Sequence, residues 1–332
     1  MKISFLALVA ALAAAVIAFP AAAAGPTVVY DNTPHPLPGN LVSWAFESTG
    51  ASEFGDRVGL ASGGPRQAAT VTVVMSSWGC QAGYWSSGDC VTAPGATFTH
   101  PITLNVYAVG AGSAPGALLG TVTQTFAIPY RPSADPVSCT GGRWFDASSS
   151  TCFNGKAATI TFDLASLSLT LPDEVIVGVA YNTTHFGYTP IGEAAPCFSG
   201  PGGCPYDSLN VAVADPAATL SAGTNPAPDD AYQDTAYSSC ANGAIHPFGL
   251  DAGCWTGAKP AIQITAVDPL VGPPTDKDQC KNGGWKQFNN PTFKSQKACE
   301  KFVKEHQKDD DEHGDHGGGH GHGSHDGTGN DD

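Results

Sequence analysis

The chain has 332 residues, 40 of them Gly and 26 Pro, and only 14% are Asp, Glu, Lys or Arg. So few charged side chains exclude a fold built on long amphipathic helices and favour short strands between Gly- and Pro-rich turns. A formal net charge of −15 argues against a nucleic-acid partner, whose phosphates call for Lys and Arg.

Met1-Lys2 is followed by an uncharged stretch from Ile3 to Ala24. Lys2 is a minimal positive n-region, Ile3 to Ala18 an apolar h-region, and Pro20 a break. Ala22-Ala23-Ala24 then offers small residues before a cut at Gly25. This predicts a signal peptide over residues 1–24; Pro20 and the alanines disfavour the alternative, a retained anchor helix. The first cysteine is Cys80, away from the cut, so no lipid-modified N-terminus is expected. No second apolar run is long enough to span a membrane.

Residues 25–270 form the expected main domain. Early strand candidates are Thr27 to Tyr30 and Leu41 to Phe46. Val71 and Val73 then alternate with Thr70 and Thr72. Ile102, Leu104 and Val106 alternate with Thr103, Asn105 and Tyr107, and Val122, Phe126 and Ile128 with Thr121, Thr123 and Thr125. Ile160 and Phe162 follow the same rule. A period of two marks strands with one buried and one wetter face. Val175 to Ala180 is apolar on both parities and reads as a central strand. Leu209, Val211 and Val213, then Ile262 and Ile264, close the set. Some nine strands predict an all-β, two-sheet antiparallel sandwich, jelly-roll-like.

Ten cysteines fall into close couples: Cys80–Cys90, Cys139–Cys152, Cys197–Cys204, Cys240–Cys254 and Cys280–Cys299. Exported chains meet an oxidising environment, so disulfides are expected. Neighbour pairing is the simplest connectivity, because loop-closure entropy grows with loop length. Each bridge is worth about 2–3 kcal/mol in the chain-entropy account. No tight Cys/His cluster suggests a metal centre in the body. Counting strands places the first three clips at one end of the sandwich and Cys240–Cys254 at the other. A strand at Ala165 to Leu171 would move the third clip.

The clipped loops carry Tyr84, Trp85, Arg143, Trp144, Phe145, Phe198 and Tyr206. Aromatic faces beside polar groups suit a sugar, whose apolar ring faces stack while its hydroxyls hydrogen-bond. The alternative is that these aromatics plug their own loops.

Catalytic signals are weak, and the chain reads as non-enzymatic. Glu47, Glu53 and Asp56 lie close together in WAFESTGASEFGDR, but solvated turn acids are the commoner explanation for such a trio. His35, His100, His185 and His246 are scattered outside any nucleophile motif. Asp229, Asp230 and Asp234 depart from EF-hand spacing and read as a flexible acidic loop. There is no P-loop or dinucleotide fingerprint.

Residues 271–276 read as a Pro-stiffened linker. Residues 277–308 form a small basic Cys-stapled module with eight Lys, a turn at Asn282-Gly283-Gly284 and a short helix from Ser295 to Lys304. So short a unit needs the Cys280–Cys299 staple to hold Trp285, Phe288 and Phe302 together. Residues 309–332 form a His-, Asp- and Gly-rich tail expected to be disordered. Its His313, His316, His320, His322 and His325 are candidate ligands for Zn, Cu or Ni; no cofactor is otherwise required.

At FGDRVGLAS, SAPGALLGTV, LPDEVIVGVAYNT and LDAGCWTGAKP the main domain resembles a group of uncharacterised secreted β-sandwich proteins of actinobacteria. The DQCKNGGWKQF segment is similar to a short module at the C-terminus of many actinobacterial exported proteins. The resemblance implies export and a sandwich fold, and brings no activity and no functional residues. The expected function is extracellular or cell-wall-associated, non-catalytic binding of a cell-wall polymer or extracellular glycan through the clipped loops. The alternative is divalent-metal binding through the tail.

Overall fold

A computed structural model describes residues 25–183, 204–238 and 240–311, with side chains up to His306. The predicted signal peptide, Cys197, Phe198 and the five tail histidines lie outside the described residues. The chain divides into two compact units, one of them Gly25–Pro269 and the other containing Leu270 onward. Among the described residues, no helix is long and apolar enough to cross a membrane.

The larger unit is an all-β sandwich. Its first sheet runs β1 (Thr27–Asp31), β15 (Ile262–Val267), β4 (Gln67–Ser77), β11 (Leu209–Ala214) and β14 (Lys259–Pro260), with β2 (Ser43–Trp44) on β11 and β9 (Lys156–Asp163) on β4. The second runs β13 (Ile245–Ala252), β12 (Asp230–Thr235), β3 (Ala51–Gly59), β10 (Glu174–Ala180), β5 (Thr97–Val109) and β6 (Pro115–Pro129). A small hairpin, β7 (Trp144–Asp146) and β8 (Thr151–Phe153), stands apart from both sheets. All pairings between these strands are antiparallel.

The period-two segments behave as expected. On β5, Phe98, His100, Ile102, Leu104 and Val106 are buried while the residues between them are wetter. Thr70 bonds Thr265, Thr72 bonds Thr161, and Thr103 bonds Thr123 across neighbouring strands, as threonines on outer faces do. The doubly apolar run is β10, buried along Val175–Val179 between β3 and β5. Val71, Val73, Met75 and Ile264 from one sheet meet Phe54, Leu104, Val106 and Val177 from the other in a single core.

Three strands break the expectation. Of the residues read as turn acids, Glu53 and Asp56 lie in β3, an internal strand between β12 and β10, and Glu47 lies in a short helix, Phe46–Thr49. The residues read as a flexible acidic loop run into β12, which β13 follows. In these strands Glu53 accepts from Asn105 and Tyr107 and Gln233 donates to Asp251, so polar groups are paired across neighbouring strands. Leu41 to Phe46 yields only the two residues of β2, since Phe46 opens a short helix, Phe46–Thr49.

Register fixes where the loops sit. Ser77 pairs with Lys156, Thr97 with Pro129, and Ala180 with Thr103. The connections after β4 and β6 and the segment after β10 therefore leave from one end, the crown. Cys80–Cys90 and Cys139–Cys152 both clip it. Residues 165–167 form a 3-10 turn, so no extra strand intervenes. Cys204 is disulfide-bonded; its expected partner Cys197 lies outside the described residues. Cys240–Cys254 does not close a loop at the far end. Cys240 follows the end of β12 where Thr235 meets Ala51, whereas Cys254 follows the opposite end of β13. Beside it, buried Asp251 accepts from Gln233, Ser238 and Trp255, which fastens the hairpin from within.

In the C-terminal unit, Cys280–Cys299 and Val303 are buried, with Trp285, Phe288 and Phe293 packed around them. Asn282 and Gly283 both take positive φ, as the predicted turn requires. The helix, Gln296–Asp311, runs beyond the expected Lys304. Val271 exchanges hydrogen bonds with Asn289, so the expected linker folds onto the module.

Candidate functional site

The crown holds an open pocket of about 340 Å³ with two chemically different walls. Trp78, Tyr84 and Trp85 form the aromatic wall, and Glu47, Asp207, Ser208, Asn210 and Ser43 supply the polar one. The volume lies at the small end of the range for ligand sites, which combine apolar lining with a few placed polar groups.

Local sequence explains the aromatic wall. Trp78 directly follows β4, and its Nε1 donates to Ser76 Oγ at 3.0 Å, which in turn donates to Asn40 Oδ1 at 2.8 Å. Trp85 stands edge-on to Trp78, with centroids 4.7 Å apart, and Tyr84 flanks Trp85 at 5.7 Å. The Cys80–Cys90 bridge and reciprocal backbone bonds between Ala82 and Val91 close this loop. Gly83 has φ of 75°, and a Cβ there would come within 2.3 Å of Asp89 O, so only glycine fits. Tyr84 N donates to Asp89 Oδ1 at 2.8 Å, which sets where the rings begin.

The polar wall comes from elsewhere in the chain. Glu47 sits in the first turn of the Phe46–Thr49 helix. Asp207 and Ser208 lie in the Pro205–Ser208 turn, where Asp207 Oδ2 accepts from Cys204 N at 3.0 Å. Asn210 is the second residue of β11, and its Nδ2 donates to Ser43 Oγ at 3.3 Å. Partial burial, then the negative charges of Glu47 and Asp207, raise the Tyr84 hydroxyl above its ordinary value.

The expected binding residues divide. Tyr84 and Trp85 line the pocket. Trp144 is 5% exposed; its Nε1 donates to Gly155 O at 2.7 Å, Phe153 lies against it, and Lys156 Nζ sits 5.1 Å from its ring centroid. Tyr206 is buried in the core, stacked 4.5 Å from His100. Tyr206 thus belongs to the main core, and Trp144 packs within its own loop, its remaining exposed edge lining a depression away from the crown pocket. Arg143 turns back on Thr140, donating to its carbonyl and hydroxyl at 3.0 and 3.2 Å. Phe145 lines a separate depression of about 700 Å³ with Tyr130, Pro132 and Lys156. Sequence reasoning missed Trp78, Asp207, Ser208 and Asn210. Trp78 looked like the end of a strand, yet its place two residues before a staple was the available signal.

Glu53 and Asp56 are not turn acids. Glu53 is 8% exposed on the outer face of the second sheet, accepting from Asn105 Nδ2 at 3.0 Å and Tyr107 Oη at 3.1 Å. Burial pushes its carboxyl up to about 7, and Asp234, opposite it in register, adds to the rise. Asp234 is itself pushed up to about 6 by burial, and His246 Nδ1 lies 3.2 Å from its carboxylate. Asp56 faces the interior. Glu47 lines the crown pocket and Glu53 none of it, so the pair weighed for hydrolysis is not assembled there.

The three aspartates considered for calcium also diverge. Asp229 accepts from Thr256 Oγ1, Asp230 from Gly253 N, and Asp234 faces His246. Among the described residues, no three or more His, Cys, Asp or Glu side chains gather as a metal site needs. No protein-family model, no curated protein and no solved structure matches this chain, so the site is read from its own residues alone.

Proposed function

We propose that the protein is a non-catalytic binding protein of the extracellular space or cell wall, and that its crown pocket takes a carbohydrate. The observation that supports this reading is the placement of Trp78, Tyr84 and Trp85 across from Glu47, Asp207 and Asn210 in one open pocket. A pyranose has apolar C–H faces that suit aromatic rings and hydroxyl edges that suit carboxylates and amides. Hydrogen bonds from hydroxyls to an ionised carboxylate are the stronger kind and add selectivity. A clipped loop holds its rings in place before binding, so the ligand does not supply their ordering entropy. The disulfides themselves fit an oxidising compartment.

The test is a glycan array on the mature chain, followed by calorimetry with the best oligosaccharide. Trp85→Ala is expected to weaken binding at least about tenfold, the equivalent of one lost aromatic stack. Asn210→Ala should weaken it as well. Unchanged affinity in Trp85→Ala, or no binding across a panel of wall and plant polysaccharides, would overturn the reading.

A further inference from the structure

Lys259 is fully buried, at 0% exposure, in β14 of the first sheet. Asp56, at 1%, lies in β3 of the second sheet, at the same parity that turns Phe54 and Val58 into the core. The two side chains meet across the interior of the sandwich, with Nζ 3.6 Å from Oδ1. That gap is longer than a hydrogen bond. Among the described residues no hydrogen bond of ordinary length reaches either Asp56 oxygen, although the Arg57 amide and the Lys259 nitrogen lie close enough to act on the carboxyl. Lys259 Nζ, by contrast, is held by two main-chain carbonyls, Ala227 O at 2.9 Å and Asp230 O.

An ion pair is a poor description of this contact. Charges taken out of water are tolerated when hydrogen bonds satisfy their remaining lone pairs, and no hydrogen bond of ordinary length reaches the Asp56 carboxylate. Burial dominates both groups: it raises the Asp56 carboxyl and lowers the Lys259 ammonium, outweighing their mutual attraction. The uncharged forms are a primary amine and a carboxylic acid. Two N–H bonds of that amine are directed to Ala227 O and Asp230 O, which leaves the nitrogen lone pair free, with Asp56 Oδ1 3.6 Å away.

We infer that Lys259 and Asp56 become joined by an amide bond, a covalent cross-link between the two sheets made by the folded protein itself. Nζ attacks Cγ of Asp56 and the N–C bond forms. The C–OH bond then breaks, and the hydroxyl leaves with one amine proton as water. No oxidant, cofactor or second substrate is consumed. The fold supplies what amide formation in water lacks: fixed proximity, which converts an encounter into an intramolecular step, and a dry site from which the released water is lost. The remaining amide N–H keeps one of the two carbonyl acceptors. The Tyr30 hydroxyl is buried, has no partner among the described residues, and is raised by burial and by the Asp56 charge. In this proposal its O–H donates to the oxygen that gathers charge as Nζ adds.

Intact-mass spectrometry of the reduced and alkylated mature protein tests this directly. The expected chain is lighter by one water than its sequence. Fragmentation after proteolysis should show one branched peptide joining the strand of Asp56 to that of Lys259. Lys259→Arg and Asp56→Ala should each restore the full mass, and Tyr30→Phe should slow the mass loss in freshly refolded protein. If a variant fails to fold, the parent chain still decides the matter. A parent of full sequence mass overturns the proposal. So does a missing water that maps to Asp56 while Lys259 is recovered unmodified.

Discussion

Replacing Glu53 by Gln should stabilise the protein at alkaline pH and leave it unchanged in acid. Glu53 accepts hydrogen bonds from Asn105 and Tyr107, yet burial outweighs them and lifts its carboxyl from 4.5 to about 7. The folded state therefore holds the proton more tightly than the unfolded chain. Between pH 4.5 and 7 the folded protein carries more protons, so stability falls as pH rises through that window; above it the full penalty applies. The shift corresponds to about 3 kcal/mol at most, from 1.36 kcal/mol per pH unit. Asp234, opposite in register and raised as well, shares that cost, and about 2 kcal/mol is the working figure. The glutamine carbonyl can still accept from Asn105 and Tyr107 without a charge to bury. The assay is urea unfolding followed by tryptophan fluorescence, with disulfides intact, from pH 4 to pH 8. Comparing variant with parent cancels opposing groups such as Asp31, whose carboxyl is held low by Thr33, Gln263 and His35 against the effect of burial. A difference that stays flat across this range, or that grows toward acid, refutes the reasoning.

Two further substitutions probe the same structure. Gly178→Ala places a Cβ 2.1 Å from Glu53 Oε1, and should destabilise by about 1–3 kcal/mol through overpacking. A double-mutant cycle with Glu53→Ala, read by the same unfolding assay, should recover most of that loss. Trp144→Ala removes a buried ring and orphans Gly155 O, and should cost about 3–5 kcal/mol by thermal melting. Half-exposed Trp85→Ala should cost under about 1 kcal/mol in the same melt, since surface changes rarely cost more.

The apolar half of this fold was legible in the sequence. Alternation located β4, β5, β6 and β9, and the unbroken run Val175–Ala180 marked the central position of β10. Cysteine spacing gave the four pairings visible among the described residues. The polar half was hidden for a physical reason. In β3, Glu53 is satisfied by Asn105, 52 positions away, and Asp56 faces Lys259 from the other sheet. Periodicity compares near neighbours, so carboxyls whose partners are remote look like solvated turns. The crown aromatics failed differently. Trp85 and Trp144 have the same kind of polar, Gly- and Ser-rich surroundings in sequence. What separates them is that Trp144 Nε1 reaches the carbonyl of Gly155, just past its own hairpin, whereas Trp85 packs edge-on to Trp78 and keeps one side toward the pocket.

The placement of cost and of reinforcement in this molecule follows one logic. Positions 53 and 56 have opposite parity, so β3 buries one carboxyl on each face of the second sheet. A strand carrying that load is tolerated only where its neighbours are strong, and β10, apolar on both faces and paired along its length to β3 and β5, is such a neighbour. The crown has no comparable support, because loops beyond the strand ends cannot draw on ladder hydrogen bonds. There the chain uses local clips. The Tyr84–Trp85 part of the aromatic wall depends on Cys80–Cys90 and the polar wall partly on the turn begun by disulfide-bonded Cys204, while Trp78, whose N donates to Ser208 O at 2.9 Å, is tied to the polar side. Opening the first clip should therefore loosen Tyr84 and Trp85 while Asp207 and Asn210 hold their places. A ligand that needs both walls would lose affinity well before the sandwich loses stability.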